Sequence, residues 1–365
     1  MTGTATSRKP LEFSVFFFSA DAKASGDSKY RMMLETARFC DSNGFTAVWT
    51  PERHFAAFGG LYPNPAITGA ALAMATTHLQ IRAGSVVLPL QNPIRVVEEW
   101  SVLDNLSGGR VGVAFASGWH VNDFALDPGS YANRRDSMLR KLAIVQKLWG
   151  GEKVRLTNGA GDEVEVEVFP RPIQPKLPIW MTSQADESFA QAGELGHHVL
   201  TNFNFKKFGD LERKIRLYRE SNQKHPGRRG HLTLMVHTYV GTDETSVWET
   251  AAPALRTYLQ ENLVIQQSNV SRGRQTGTAS MLDDADVQLT EEDRAFLVQR
   301  STARFISEAG FIGTAKACHE AASRLYAAGV DELACLIDFG VPLKEALQSL
   351  QRVAEISVRL RGRQG

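Results

Sequence analysis

Apolar runs of strand length alternate with helical stretches along nearly the whole chain. This rhythm restricts the fold more than any single motif does. Phe13–Ser19 is a continuous apolar run, as a strand buried on both faces requires. Ser28–Asn43 shows helical spacing at Met32/Met33, Leu34, Ala37 and Cys40 and stops at Asn43-Gly44. Strand two follows at Phe45–Thr50, a small-residue helix at Ala66–Thr77, strand three at Ile81–Leu90 and a helix at Val96–Leu106. Strand four leaves Gly108-Gly109 and runs through Phe115, and Asn133–Trp149 reads as a helix that Asn133 can cap. Strands five to eight are Pro178–Thr182, His198–Phe203, Leu232–Val240 and Glu332–Asp338. Their helices lie at Ser188–Leu195, Lys207–Asn222, near Ser246–Leu259 and at Thr314–Ala328, with a last helix at Pro342–Arg359. Eight strands alternating with helices mean parallel βα units. That count predicts an α/β protein, a closed TIM (β/α)8 barrel rather than an open sheet.

Two segments interrupt the rhythm. Glu163–Phe169 alternates charged and β-branched residues, which predicts an exposed hairpin inserted after helix four. The segment at about 265–313 is too long for a plain loop, and its polar part, Gln266–Thr290, predicts a lid-like insertion between strands seven and eight. Residues 1–10 are expected to be a disordered tail, and 11–360 a single barrel domain.

Composition narrows the function. Of 365 residues, 41 are basic and 40 acidic, which gives no electrostatic case for nucleic acid. The three cysteines, Cys40, Cys318 and Cys335, lack any metal or disulfide spacing and read as packed, reduced thiols of a cytoplasmic protein. No run is long enough to span a membrane. There is no Walker motif, no H-E-x-x-H and no G-x-S-x-G elbow, and the histidines are scattered, so no metal site is expected.

Barrel enzymes work at the C-terminal ends of their strands. Strand four breaks there at Ser117-Gly118 into a polar, aromatic tip of Trp119, His120, Asn122 and Asp123. Strand two ends in Glu52-Arg53-His54, which brings a carboxylate, a guanidinium and an imidazole to the same rim. The strand-five exit, Thr182–Ser188, runs straight into a helix. Its small hydroxyl residues either leave N–H groups free for a phosphate or let Ser183 cap the helix, and both readings stay open. Phe16–Phe18 are core residues, of which Phe17 is a candidate wall of a ligand pocket. His237 in strand seven can face either way, while His197 and His198 read as structural.

Several ordered motifs resemble the bacterial luciferase-like flavin monooxygenases. They are Ala47–Pro65 with its Thr-Pro-Glu-Arg-His-Phe run, Gly84–Arg110, Gly313-Thr314 and Ala328–Leu333. The Thr-Pro-Glu-Arg-His-Phe form resembles the branch found beside or inside peptide and polyketide synthases, in natural-product biosynthesis. The resemblance implies FMN, bound as FMNH2 at the rim and delivered by a separate NAD(P)H-dependent flavin reductase. With O2 it implies a C4a-hydroperoxyflavin that oxygenates a small-molecule or carrier-protein-bound substrate, such as an amino acid or acyl group. It also implies a homodimer. The family often places a non-proline cis bond after strand three, here near Val86-Val87, under the flavin ring.

Departures from the family pattern shift the expected roles. Arg53 stands where luciferase has a histidine base; arginine stays protonated and suits an anion instead. His54 becomes the acid–base candidate, with His120 as a second. Ala116 and Ser117 replace a reactive thiol and a phosphate-binding arginine. Cofactor binding then falls to Val86, Val87, Ser117, Trp119, Ser183, Gln184, Ala185 and Ser188, and substrate binding to Phe17, Glu52, Arg53, Trp119 and Asn122. A deazaflavin-dependent oxidoreductase and a non-catalytic flavin-binding barrel on the same fold are the alternatives.

Overall fold

A computed structural model describes residues 8–18, 29–203, 207–225, 229–270 and 290–364. Among the described residues eleven strands are formed: β1 Glu12–Phe16, β2 Ala47–Thr50, β3 Gln80–Val87, β4 Val111–Ala116, β5 Val154–Thr157, β6 Glu163–Val166, β7 Ile179–Thr182, β8 His198–Asn202, β9 Leu232–Gly241, β10 Phe311–Thr314 and β11 Glu332–Leu336. Eight of them, in the order β1-β2-β3-β4-β7-β8-β9-β11, pair in parallel, and β11 pairs back onto β1 to close the barrel. The helices α1 Arg31–Ser42, α2 Pro65–Ala75, α3 Pro93–Ser107, α4 Arg134–Gly150, α5 Asp186–Glu194, α6 Phe208–Asn222, α7 Glu244–Ser246, α8 Ala252–Val270, α9 Glu291–Arg304, α10 Ala315–Ala328 and α11 Leu343–Gln364 complete the chain. The predicted TIM barrel is therefore the fold.

Closure sorts the apolar residues into two layers. Val15, Val48, Val113, Val199 and Leu333 face outward and pack under the helices. Phe16, Trp49, Ala114, Trp180, Leu200, Met235 and Leu336 fill the interior. At the N-terminal end one carboxylate organises the plug. Glu332 is fully buried and accepts from Arg82 Nη1 at 2.7 Å, His231 Nε2 at 2.9 Å, Trp49 Nε1 at 3.0 Å, and the Ser14 hydroxyl. These donors hold its carboxyl far below the usual range against the opposing effect of burial.

Boundaries differ from the sequence reading in instructive places. β3 stops at Val87, and Leu88–Leu90 form a 3-10 turn, because Pro89 cannot donate to a sheet ladder. Asn133 precedes α4 but makes no side-chain cap, since its φ of −109° and ψ of 22° are not the extended pair that turns a cap over the first turn. The inserted hairpin is present as β5 and β6, paired antiparallel from Val154 opposite Val166.

The segment expected to be lid-like is helical at both flanks. α8 runs to Val270 and α9 begins at Glu291; 271–289 lie outside the described residues. α9 passes through a π-helical turn, Phe305–Ala309, into β10, a strand absent from the sequence reading that extends β9 in register from Phe311 opposite Thr238. Val298 of α9 and Tyr258 and Leu259 of α8 join the interior cluster, so the α8–α9 pair roofs one sector of the rim. Residues 1–7 of the expected tail are likewise outside the described set, while Arg8 is held by the carbonyls of Tyr326 and Val330.

Candidate active site at the barrel rim

The exits of β2 and β3 are tied together through Glu52. Its carboxylate is buried and accepts from the Val87 N–H at 2.8 Å, Gln91 Nε2 at 2.6 Å and His54 Nε2 at 2.9 Å. Three donors converge on one carboxylate, so the Nε2 nitrogen of a neutral His54 carries the proton and Nδ1 remains the acceptor. Glu52 thus orients His54 as the third member of a catalytic triad orients its base. Phe55 follows with a φ of 55° and an exposed ring, a left-handed conformation that a bulky residue adopts only under constraint. Gln91 was not among the expected site residues; its place in Gln91-Asn92-Pro93, at the end of a strand and the start of a helix, was the available signal.

Arg53 points to a different set of neighbours. Its guanidinium carbon lies 4.8 Å from the centre of the Phe18 ring and 5.5 Å from that of Phe58. Burial pulls its pKa down, while the charges of Asp123 and Tyr258 pull it up. No described carboxylate comes within ion-pair distance of it. A partly buried cation on aromatic faces without a counter-ion has the chemistry to receive an anion.

The tip of β4 faces this pair. Gly118 has a φ of 78°, and a Cβ there would lie 2.9 Å from Phe124 and from Val87. Only glycine lets the chain turn that close to the β3 exit. His120 Nδ1 is 3.1 Å from Asp123 Oδ1, and the Trp119 ring stands edge-on to His120 with centroids 5.4 Å apart. Asn122 is exposed and Ser117 partly buried. Arg134 anchors the tip through the Gly118 carbonyl at 3.2 Å.

At the β7 exit the hydroxyls are already engaged. Ser183 is buried and reaches the carbonyls of Met181 and Ser188, while Ser188 donates to the Ala185 carbonyl at 2.7 Å. Neither hydroxyl proton is free for a phosphate, and Ser183 does not cap α5, whose N-cap is Ala185. Gln184 is held by Thr201 and Asn202. What remains open is backbone: the N–H groups of Gln184, Ala185, Asp186 and Glu187 have no described carbonyl acceptor. Asp186, which would oppose an anion there, is neutralised by Arg213 and Lys214.

Other expectations fall elsewhere. Val86 and Val87 are buried at the end of β3, where the register shifts between Gly84 and Val86. The non-proline cis bond is Gly84–Ser85, not Val86-Val87. Phe17 lies in the outer layer against Tyr62, with no exposed surface, because strand alternation sends it away from the interior that Phe16 faces. It cannot wall a pocket at the rim. His198 lies at the opposite end of the barrel, packed on Trp180 in a cleft of about 1100 Å³ lined by Arg82, His231 and Asp331. Glu12, His231 and Glu332 also come close enough there to suggest a metal, but Glu332's oxygens are already occupied by Arg82, His231 and Trp49.

Comparison with known proteins bears on the fold and the family. Two solved structures share the fold with a TM-score of 0.74: monooxygenase RslO1 from Streptomyces bottropensis (20% identical, covering 94% of this chain and 98% of that one), and the FMN-bound oxygenating constituent of 3,6-diketocamphane monooxygenase from Pseudomonas putida (18%, 96% and 98%). An F420-dependent secondary alcohol dehydrogenase follows with a TM-score of 0.71 at 17% identity, covering 96% of this chain and 99% of its own. Among curated proteins, the oxygenase component of the flavin-dependent trigonelline monooxygenase of Acinetobacter baylyi is 27% identical over 241 residues, 64% of this chain and 66% of that protein. The alkanal monooxygenase alpha chain of Photorhabdus luminescens is 26% identical over 53% of this chain and 54% of its own length. The chain thus spans between about half and two thirds of the curated relatives it matches. The model of luciferase-like monooxygenases matches residues 11–332, and the chain belongs to that family.

Proposed function

We propose that the chain is the oxygenating component of a two-component, reduced-FMN-dependent monooxygenase, with its site at the rim formed by β2, β3, β4 and β7. The observation that carries this reading is the Glu52 carboxylate, which fixes His54 and the β3 exit at once. Family membership and the flavin-dependent relatives support the cofactor, and the relative named as an oxygenase component supports a separate NAD(P)H-dependent flavin reductase.

The residues present fit FMN. The bulged β3 exit offers an apolar floor at Val86 and Val87, beside the partly buried Trp119. The open N–H groups at Gln184–Glu187 lie at a helix N-terminus, which favours a phosphate. When bound, reduced FMN supplies the electrons and the O2-activating ring that deliver one oxygen atom to a substrate. The chain supplies position and protons. His54 Nδ1 takes or returns a proton, with its tautomer set by Glu52. Arg53 holds an anionic group, and Phe18, Phe58 and Trp119 exclude water.

The substrate we propose is a natural-product biosynthetic intermediate, free or carrier-bound. The protein is proposed to work in the cytoplasm as a homodimer. α2 supports the dimer: it leaves Ile67 and Met74 exposed on one face, beside exposed Val102 and Leu106 of α3. No described helix is long and apolar enough to cross a membrane.

The test is reconstitution with FMN, NADH, a flavin reductase and labelled O2, followed by mass spectrometry of candidate acids. Label in the product only when reduced FMN is supplied supports the reading. Oxygen-independent turnover with F420 instead would favour the hydride-transfer alternative, which the structural likeness to an F420-dependent dehydrogenase keeps in view.

A further inference from the structure

Beyond Arg53, one more buried polar atom at the same sector of the rim has no hydrogen-bond partner among the described residues, Nε2 of the His237 imidazole, and the Tyr258 ring packs beside it. Register decides where His237 points. It lies opposite Leu336 in β11, which lies opposite Phe16 in β1, which lies opposite Trp49 in β2. Residues level across a sheet share a face, and the other three fill the barrel interior, so His237 does too.

Its surroundings are aromatic. The His237 ring is 4.6 Å from Tyr258, 4.9 Å from Phe305 and 5.7 Å from Phe339, centroid to centroid. Tyr258 in turn is 5.3 Å from Phe58, whose ring carries the Arg53 guanidinium at 5.5 Å. A continuous aromatic path therefore joins a cation without a counter-ion to a histidine without a partner. Burial holds His237 neutral, with its pKa down to about 3, so it adds no second positive charge. A neutral imidazole can both donate and accept, as can the Tyr258 hydroxyl.

Buried polar groups in folded proteins are almost always paired, and unpaired ones concentrate at functional sites. A core position with no ligand role would be met as well by phenylalanine or leucine.

We propose that this sector selects an aromatic carboxylate as substrate, with the carboxylate on Arg53, the ring packed against the edges of Phe58 and Tyr258, and a ring hydroxyl or amine directed toward Tyr258 and His237. This rests on the reading of the rim as the active site. It assigns specificity to two residues, Tyr258 and His237, that contact neither Glu52 nor His54 in the described structure. The α8 helix and the Phe305 turn supply the outer wall, so the sector is shaped by the same segment that roofs the rim.

The test is calorimetric titration of the full chain, with and without saturating FMN, using benzoate, 4-hydroxybenzoate, benzamide and hexanoate. Benzoate is expected to bind about tenfold or more tighter than benzamide or hexanoate, because benzamide lacks the charge-assisted bond to Arg53 and hexanoate lacks the ring contact. 4-Hydroxybenzoate is expected to gain about fivefold over benzoate in the native chain, and to lose that gain in His237→Phe. Because a buried substitution can unfold the chain, His237→Gln provides a second variant, expected to retain part of the gain. Arg53→Met should make benzoate and benzamide equal.

Equal binding of benzoate, benzamide and hexanoate would overturn the proposal. So would tighter binding of inorganic phosphate than of benzoate, or a hydroxyl preference untouched in His237→Phe. FMN binding, read separately by flavin fluorescence, keeps the two readings apart. Acid selectivity without FMN binding sinks the flavin assignment and leaves the ligand class standing, while FMN binding without acid selectivity does the reverse.

Discussion

Glu52 accepts the Val87 N–H at 2.8 Å, so a single buried carboxylate joins the exit of β2 to the end of β3. Its other oxygen takes His54 and Gln91. The geometry of the candidate base and the shape of the proposed flavin floor therefore depend on the same side chain.

Replacing Glu52 by alanine is expected to strand the Val87 N–H in an apolar setting, at a cost of about 1–3 kcal/mol. Urea unfolding of the purified chain measures this. An unshifted midpoint would show that the bond is dispensable.

His54→Asn is expected to lower kcat by about 10²–10⁴-fold, the usual contribution of a positioned acid or base. Steady-state oxygenation at saturating reduced FMN gives the number. A loss confined to KM would move His54 from proton transfer to binding.

Gly118→Ala forces a Cβ against Phe124 and Val87 at 2.9 Å and places alanine at a φ of 78°. A left-handed alanine costs about 1–2 kcal/mol before any clash. Weaker FMN binding is expected along with lower stability, read by fluorescence titration and urea unfolding.

Acid should destabilise the chain through its buried histidines. Burial lowers His237 and His198 to about 3, far below an unfolded value near 6.5. Between those values the unfolded chain binds the protons and the folded one does not, so stability falls as pH falls through that window. The slope for His237 is about 1.4 kcal/mol per pH unit. Glu332 acts in the same direction: its depressed carboxyl stabilises the fold above its unfolded pKa, and this is lost as pH drops toward the folded value. A urea midpoint falling from pH 7 to 5, and flattened in His237→Phe, is the expected record.

Ile67→Glu with Met74→Glu is expected to convert a dimer to a monomer by sedimentation, because it puts charge on the exposed apolar face of α2. A monomeric native chain would overturn the dimer assignment.

Much of this was legible in one dimension. Gly118 signals its turn, and the Glu52-Arg53-His54 run signals a rim, because a strand exit is local in sequence. Other features were not. Phe17 looked equivalent to Phe16 and Phe18, yet a two-residue period set by barrel closure turns it outward. β10 has only four residues, too few for any periodicity to show, and exists because β9 continues far enough to pair with it. Ser183 and Ser188 looked like phosphate ligands, but their protons go to nearby carbonyls.

Local chemistry along the chain sets the repeating βα order, the positions of the strand exits and the residues carried there. These follow from hydrophobic runs and turn chemistry, which act over a few residues. The tertiary structure alone decided that His237 faces inward and that its aromatic cage meets Tyr258 and, through Phe58, Arg53. A strand buried on both faces carries no alternation to read, so its orientation is set only when β9 and β11 take their register and the barrel closes.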